Sequence, residues 1–116
     1  MVVHIVLFRP RPDLSLDARR DLVGTLEETL RAVASIRRFR LGRRLRHGAG
    51  YETLMPEDLS FAAILEFDDL AGLHDYLEHP AHQALGRHFM GSLAASAIYD
   101  YEMSGAESAR LLAGDR

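Results

Sequence analysis

The sequence predicts an α+β fold in which helices cover one face of a four-stranded antiparallel sheet. Two observations predict it. The length of 116 residues is that of a single domain. Along the chain, segments with the apolar patterns of strands are separated by two segments with the spacing of amphipathic helices.

The first strand and the first helix follow from residues 2–34. Residues 2–8, VVHIVLF, are apolar on both faces, which is typical of a central buried strand. Pro10 and Pro12 end this strand. Ser15 is a favourable N-cap, and apolar residues then recur at helical spacing opposite a charged face. We therefore expect a helix that lies on the sheet.

The middle of the chain changes to a period of two. Residues 36–45 alternate apolar side chains with arginine, which predicts a second strand with one polar face. Residues 47–57 contain Gly48, Gly50 and Pro56 and are expected to form a loop. Residues 59–67 alternate again and form the third predicted strand.

The last third predicts a helix broken in two and a final strand. Asp68 or Asp69 is expected to cap a helix that ends near His79, because the residue before a proline avoids the helical region. Pro80 favours the start of a new helix, to about residue 91. Residues 94–103 alternate as the fourth strand.

This order, βαββαβ, is the ferredoxin-like split βαβ arrangement. It leaves one apolar sheet face without cover from its own chain, and a face of that size is too large to remain exposed. We therefore expect a homodimer in which a second copy covers it. The domain is expected to span residues 1–103, and residues 104–116 to form a polar C-terminal tail.

Composition excludes several classes of function. The chain has no cysteine, which removes thiol chemistry and weakly favours a reducing compartment. The net charge of −3 argues against a nucleic-acid partner. Residues 2–8 are too short to span a membrane and lack a preceding charged region. We expect a cytoplasmic protein that binds no nucleic acid or membrane, and no motif predicts a cofactor.

Three segments resemble one family. They are His4-Ile5-Val6-Leu7-Phe8, the run from Leu65-Glu66-Phe67-Asp68 to Leu73-His74-Asp75-Tyr76-Leu77-Glu78-His79-Pro80-Ala81-His82-Gln83, and Ile98-Tyr99-Asp100-Tyr101. Over residues 1–103 the chain resembles the stress-responsive A/B-barrel (Dabb) proteins. The resemblance implies a dimeric α/β barrel.

The family includes a plant polyketide cyclase, a cofactor-independent enzyme that performs an aldol condensation. The resemblance implies that His82 is a general base assisted by Tyr76 and His4, in a cyclase or lyase type of reaction. The loop 47–57 departs from the cyclase pattern, so the reaction itself is one candidate.

The residues give their own reasons for these roles. His82 falls in the first turn of the helix that Pro80 begins, where the helix dipole disfavours imidazolium, so a neutral base is expected. His4 shares a strand face with Phe8, and if that face is the barrel interior both meet the ligand. The structural alternatives are a histidine that stabilises the helix break for His82, a core aromatic for Tyr76, and a core histidine with satisfied hydrogen bonds for His4.

Three further residues are expected to bind substrate: His79, Tyr99 and Phe8. His79 lies three residues after Tyr76, on the same helical face. Tyr99 either lines the cavity or packs at the dimer contact. A metal site is not expected, because a proline interrupts the helix between His79 and His82 and no carboxylate stands at a third-ligand spacing.

The arginines between residues 37 and 46 form the one strong charge run. They indicate either an anion site or a solvated face paired with acidic helix residues.

Two functions remain open. In the first, a ketide-like or aromatic molecule enters the open mouth of the barrel and His82 removes a carbon-bound proton; cofactor-free monooxygenase chemistry is a variant of this reading. In the second, the protein is a non-catalytic stress-response dimer whose histidines hold the helix break.

Overall fold

A computed structural model of the chain describes residues 1–105 and 108–114. The strands are β1 (Val2–Pro10), β2 (Arg38–Arg43), β3 (Phe61–Phe67) and β4 (Leu93–Glu102), and the helices are α1 (Leu16–Ala32), α2 (Leu70–Glu78) and α3 (Pro80–Ser92). Short 3-10 helices span Gly50–Leu54 and Ser108–Ala113. Within the described ranges, no helix has both the length and the apolar character needed to cross a bilayer.

The helix boundaries follow the predicted caps. The Ser15 hydroxyl accepts a hydrogen bond from the Ala18 amide at 3.0 Å. Of the two candidate caps for α2, Asp69 is the one used, and its carboxylate accepts from the Gly72 amide at 2.9 Å. The break falls at His79, which ends α2 and caps α3.

The tail is not wholly irregular. Residues 108–113 form an exposed 3-10 helix. Residues 106, 107, 115 and 116 of the predicted tail lie outside the described part of the chain.

The sheet has the antiparallel order β2-β3-β1-β4, as a ferredoxin-like fold requires. β2 is shorter than expected, because pairing with β3 covers only residues 38–43. The register places the even-numbered residues of β1 on one face together with the odd-numbered residues of β2 and β3. This helix-covered face holds most of the core: Val2, Phe8, Ala63, Leu65 and Phe67.

The other face, called here the open face, carries the odd-numbered residues of β1 and their neighbours. Its centre is Ile5, paired with Ile64 on one side and Tyr99 on the other. Tyr99 is 52% exposed and Tyr101 is 50% exposed. The predicted surplus of apolar side chains on one face of the sheet is therefore present.

Candidate functional site

A cavity of about 390 Å³ lies between the helix-covered face of the sheet and helices α1 and α3. Its walls are mostly apolar and include Val6, Phe8, Leu22, Leu26, Leu85 and Phe89. The cavity is thus on the side of the sheet opposite to the open face. The ligand was expected in the barrel interior, whereas this cavity lies within a single protomer, beneath its helices.

Contacts at both ends of α3 hold it over the cavity. At its start, the Thr29 hydroxyl of α1 lies 3.3 Å from the carbonyl oxygen of Ala81. At its end, the Arg11 amide donates to the carbonyl of Ser92 at 2.8 Å. The cavity lies between these two attachments. Thr29 is 1% exposed, although the apolar pattern of α1 gave no sign that this polar residue is buried.

His82 occupies the first turn of α3 and lines the cavity. Its Nδ1 lies 3.1 Å from the carbonyl oxygen of Leu77. A carbonyl oxygen only accepts hydrogen bonds, so Nδ1 carries the proton and the neutral ring keeps a lone pair on Nε2. Burial lowers the pKa of His82 below its ordinary value, and the nearby His4 lowers it further, while the Leu77 carbonyl acts in the opposite direction.

Tyr76 lies between the two cavity histidines. Its ring centroid is 4.5 Å from that of His82 and 5.6 Å from that of His4, with edge-on geometry in both pairs. Tyr76 is 4% exposed, and burial raises its pKa to about 12. The phenol therefore stays protonated at neutral pH, where it remains a hydrogen-bond donor.

His4 is held by a residue that the sequence analysis did not select. Its Nδ1 lies 2.5 Å from Oδ1 of Asp100, and the two residues are directly paired between β1 and β4. The carboxylate accepts from Nδ1–H, which leaves Nε2 as the free atom of the ring. The signal was present in the sequence, because Asp100 alternates in phase with Ile98, but only the strand register shows that it faces His4.

The family comparison identifies the domain. The profile of the Stress Responsive A/B Barrel Domain, Dabb, matches residues 2–103. The chain belongs to the Dabb family. No curated protein matches it in sequence.

Solved structures show the same fold as this Dabb domain. A dimeric ferredoxin-like protein of unknown function from Thermobifida fusca is 22% identical, with 88% of this chain and 90% of that chain covered and a TM-score of 0.67. A Dabb family protein from Mesorhizobium loti is 21% identical, with coverages of 90% and 97% and a TM-score of 0.69. Hydroxynitrile lyase from Passiflora edulis is 16% identical, with coverages of 90% and 94% and a TM-score of 0.73.

The Dabb domain brings four of the six selected residues to one cavity: His82, Tyr76, His4 and Phe8. Phe8 packs against Phe61 and Phe89, with ring centroids 5.5 and 5.1 Å away.

The other two selected residues lie elsewhere. His79 does not line the cavity; its Nδ1 accepts from the Ala81 amide at 3.0 Å and so caps α3. The helix break therefore gives this ring a backbone partner outside the pocket. Tyr99 lies on the open face, because its odd register position turns it away from His4.

The arginine run is largely paired with carboxylates. Arg37 contacts Asp68 at 2.9 Å. Arg44 and Arg46 contact Asp58 at 2.8 and 3.0 Å, and their hydrogen bonds lower the pKa of Asp58. These acids lie in the loops beside β3, not in helices as the paired-face interpretation had it. Within residues 1–105 and 108–114, no group of three His, Asp or Glu side chains is arranged to hold a metal ion.

Proposed function

We propose that this Dabb protein is a homodimer whose protomers each bind a small hydrophobic, ketide-like molecule in the cavity beneath α1 and α3. The bound molecule undergoes cofactor-independent proton transfer of the polyketide-cyclase type, with His82 as the general base. The observation that carries the proposal is the hydrogen bond from His82 to the Leu77 carbonyl, since it puts the ring proton on Nδ1 and leaves Nε2 unprotonated on a side chain that lines an apolar cavity.

The step needs a base and a group that stabilises the enolate. Nε2 of His82 takes a proton from the carbon next to a substrate carbonyl, and the electron pair moves onto that carbonyl oxygen. Tyr76 remains protonated because of its raised pKa, about 12, and donates a hydrogen bond to the developing oxyanion. Attack of the enolate carbon on a second carbonyl of the same molecule then closes the ring, and the alkoxide formed at that carbonyl takes the proton back from Nε2 of His82, which regenerates the neutral base.

His4 supports the same end of the cavity. The Asp100 carboxylate fixes its ring and its tautomer, as a carboxylate bound to one ring nitrogen does for functional histidines. Its edge contact with Tyr76 helps to hold the phenol in place.

The proposed dimer and the proposed cellular location are supported by separate observations. The open face exposes Tyr99 and Tyr101 next to apolar side chains, and the Thermobifida fusca neighbour is described as dimeric. A second copy that packs its own open face against the first would cover both. The cysteine-free composition supports a cytoplasmic location.

Proton removal can be tested before the natural substrate is identified. We would incubate the protein with 4-phenyl-2-butanone in D2O and follow loss of the hydrogens next to the carbonyl by proton NMR. In parallel, N-acetylcysteamine thioesters of linear tri- and tetra-β-keto acids would be assayed for cyclised product above the protein-free background. We expect His82→Ala to lower both rates by about 10²–10⁴-fold, the usual contribution of a general base.

The matched control is His74→Ala, since His74 is exposed on α2 and does not line the cavity. It should leave both rates unchanged, while Tyr76→Phe should lower them by less than His82→Ala does. Equal rates in the wild type and His82→Ala would rule out His82 as the base.

A second candidate function has its own observation. His82 joins α3 to the last turn of α2 through Leu77, and His79 caps α3, so both histidines also stabilise the helix break. In a non-catalytic binding or structural dimer, stabilisation of the helix break would be the whole role of the two histidines. This function predicts that His82→Ala lowers the melting temperature with no wild-type turnover to lose.

A further inference from the structure

Among the described residues, Arg19 is the one permanently charged side chain that lines the cavity. It belongs to a helical stripe of α1 that continues with Leu22, Val23 and Leu26, all of which line the cavity. An apolar residue would suit this position in an amphipathic helix packed on a sheet. The arginine is therefore a departure from the pattern that the other cavity residues follow.

Within the part of the chain that the structure describes, the guanidinium of Arg19 makes one hydrogen-bond contact, to a backbone carbonyl. Its Nε lies 3.4 Å from the carbonyl oxygen of Leu14, a contact that leaves the terminal nitrogens unused. Among residues 1–105 and 108–114, no carboxylate lies within ion-pair distance of Arg19. By contrast, Arg9, Arg11 and Arg37 all contact acids.

Arg19 and His82 stand at opposite ends of the cavity. Thr29 of α1 contacts Ala81, the residue next to His82. Arg19 precedes Thr29 by ten residues, which corresponds to about 15 Å along the helix axis. The wall between these ends is apolar, with Val6, Leu22, Leu26 and Phe89.

We propose that the cavity takes an elongated amphipathic ligand whose anionic end is bound by Arg19 while its carbonyl end meets His82 and Tyr76. The anion is a carboxylate in a free acid or a phosphate in a carrier-linked acyl group; both suit the planar guanidinium. This inference rests on the proposed ligand site and adds the orientation of the ligand and its charge. Arg19 is a specificity-determining residue, with no part in the proton transfer.

The test compares ligands that differ only in charge. Dissociation constants for decanoate, decyl phosphate and decanol would be measured by calorimetry with the wild type, Arg19→Gln and Arg20→Gln. Arg20 is the matched control, because it neighbours Arg19 on α1 and is exposed as Arg19 is, but does not line the cavity. Arg19 is itself exposed at the cavity wall, so we expect the wild type to bind an anion only about threefold to tenfold more tightly than decanol, as one exposed charge contact allows.

Arg19→Gln should remove this preference without weakening the binding of decanol, and Arg20→Gln should keep it. The anion that binds more tightly identifies the source of the charge. An equal preference for anions in the wild type and Arg19→Gln, or its loss in Arg20→Gln, would overturn the role of Arg19.

The outcomes separate this inference from the proposed function. If the wild type binds decanol and the anions equally well, the cavity is a ligand site but Arg19 does not select charge. If none of the three binds, the ligand site and the inference fall together.

Discussion

The two faces of the sheet differ in what covers their apolar side chains: helices of the same chain cover one face, and no described α-helix covers the other. The helix-covered face carries the core and, between the sheet and α1 and α3, a cavity with two histidines and a tyrosine. The open face is built from the same four strands and carries half-buried apolar side chains and two exposed tyrosines. The first face leaves room for a ligand within one protomer, and the second leaves a surface that suits another protomer. The cavity and the proposed dimer contact therefore lie on opposite sides of the same sheet.

The largest difference in unfolding free energy between the two faces should appear when large apolar side chains of β3 are replaced by alanine. Phe67 is 0% exposed on the helix-covered face, so Phe67→Ala should lower the free energy of unfolding by about 3–5 kcal/mol. Ile64 faces the other side and is half-buried, so Ile64→Ala should cost about 1–2 kcal/mol in the monomer. Urea unfolding at low protein concentration measures both. An equal loss of unfolding free energy in the two variants would show that the open face is covered even in the monomer.

A charge at the centre of the open face should break the proposed dimer. Ile5 lies between Ile64 and Tyr99, and Ile5→Asp would place an unpaired carboxylate in the contact. We expect the dimer dissociation constant to rise by about a hundredfold or more, as measured by analytical ultracentrifugation. Arg87→Glu, on the exposed side of α3, serves as the control. A dimer that persists unchanged in Ile5→Asp would place the interface elsewhere.

On the helix-covered face, protonation of His82 should lower the stability of the protein at acidic pH. Burial holds its folded-state pKa below the ordinary 6.5, so the unfolded chain binds this proton more readily than the folded chain does. The contribution of neutral His82 to stability is thus complete above pH 6.5 and is lost as the pH falls toward the folded-state pKa. Urea unfolding from pH 7.5 to 5.0 should show a smaller loss for His82→Gln than for the wild type. Parallel pH profiles for the two would contradict the lowered pKa.

Proton removal should have the same pH dependence. A protonated His82 is no base, so exchange of the ketone hydrogens should be steady above pH 6.5 and decline below it.

The smallest change in stability is expected for a substitution in α1 that contacts neither the cavity nor the open face. Gly24 lies in the middle of α1, and a Cβ added there would have no heavy atom within 4 Å. Gly24→Ala should therefore stabilise the protein by about 0.5–1 kcal/mol through helix propensity alone. Thermal unfolding followed by circular dichroism measures it. A loss of stability would indicate a contact at Gly24 that the protomer does not make, and hence a further interface.

Local patterns were sufficient for the elements and for part of the site. The cap at Ser15, the helix end near His79, the new helix that starts at Pro80 and the alternation of β3 are confirmed, because each depends on neighbours within a few residues. The ends of β2 were wrong, since a strand extends only as far as its partner pairs with it.

By itself, then, the sequence determined the βαββαβ order, the alternation of each strand and the grouping of Tyr76 and His82 near the helix break, since these depend on local spacing. Only the tertiary structure decided which sheet face the helices cover, and with it that His4 meets Tyr76 while Tyr99 does not. It also brought Asp100 to His4 across 96 residues and placed Arg19 on the cavity wall. Such contacts depend on strand register and helix packing, which join distant parts of the chain and leave no periodic signal in either part.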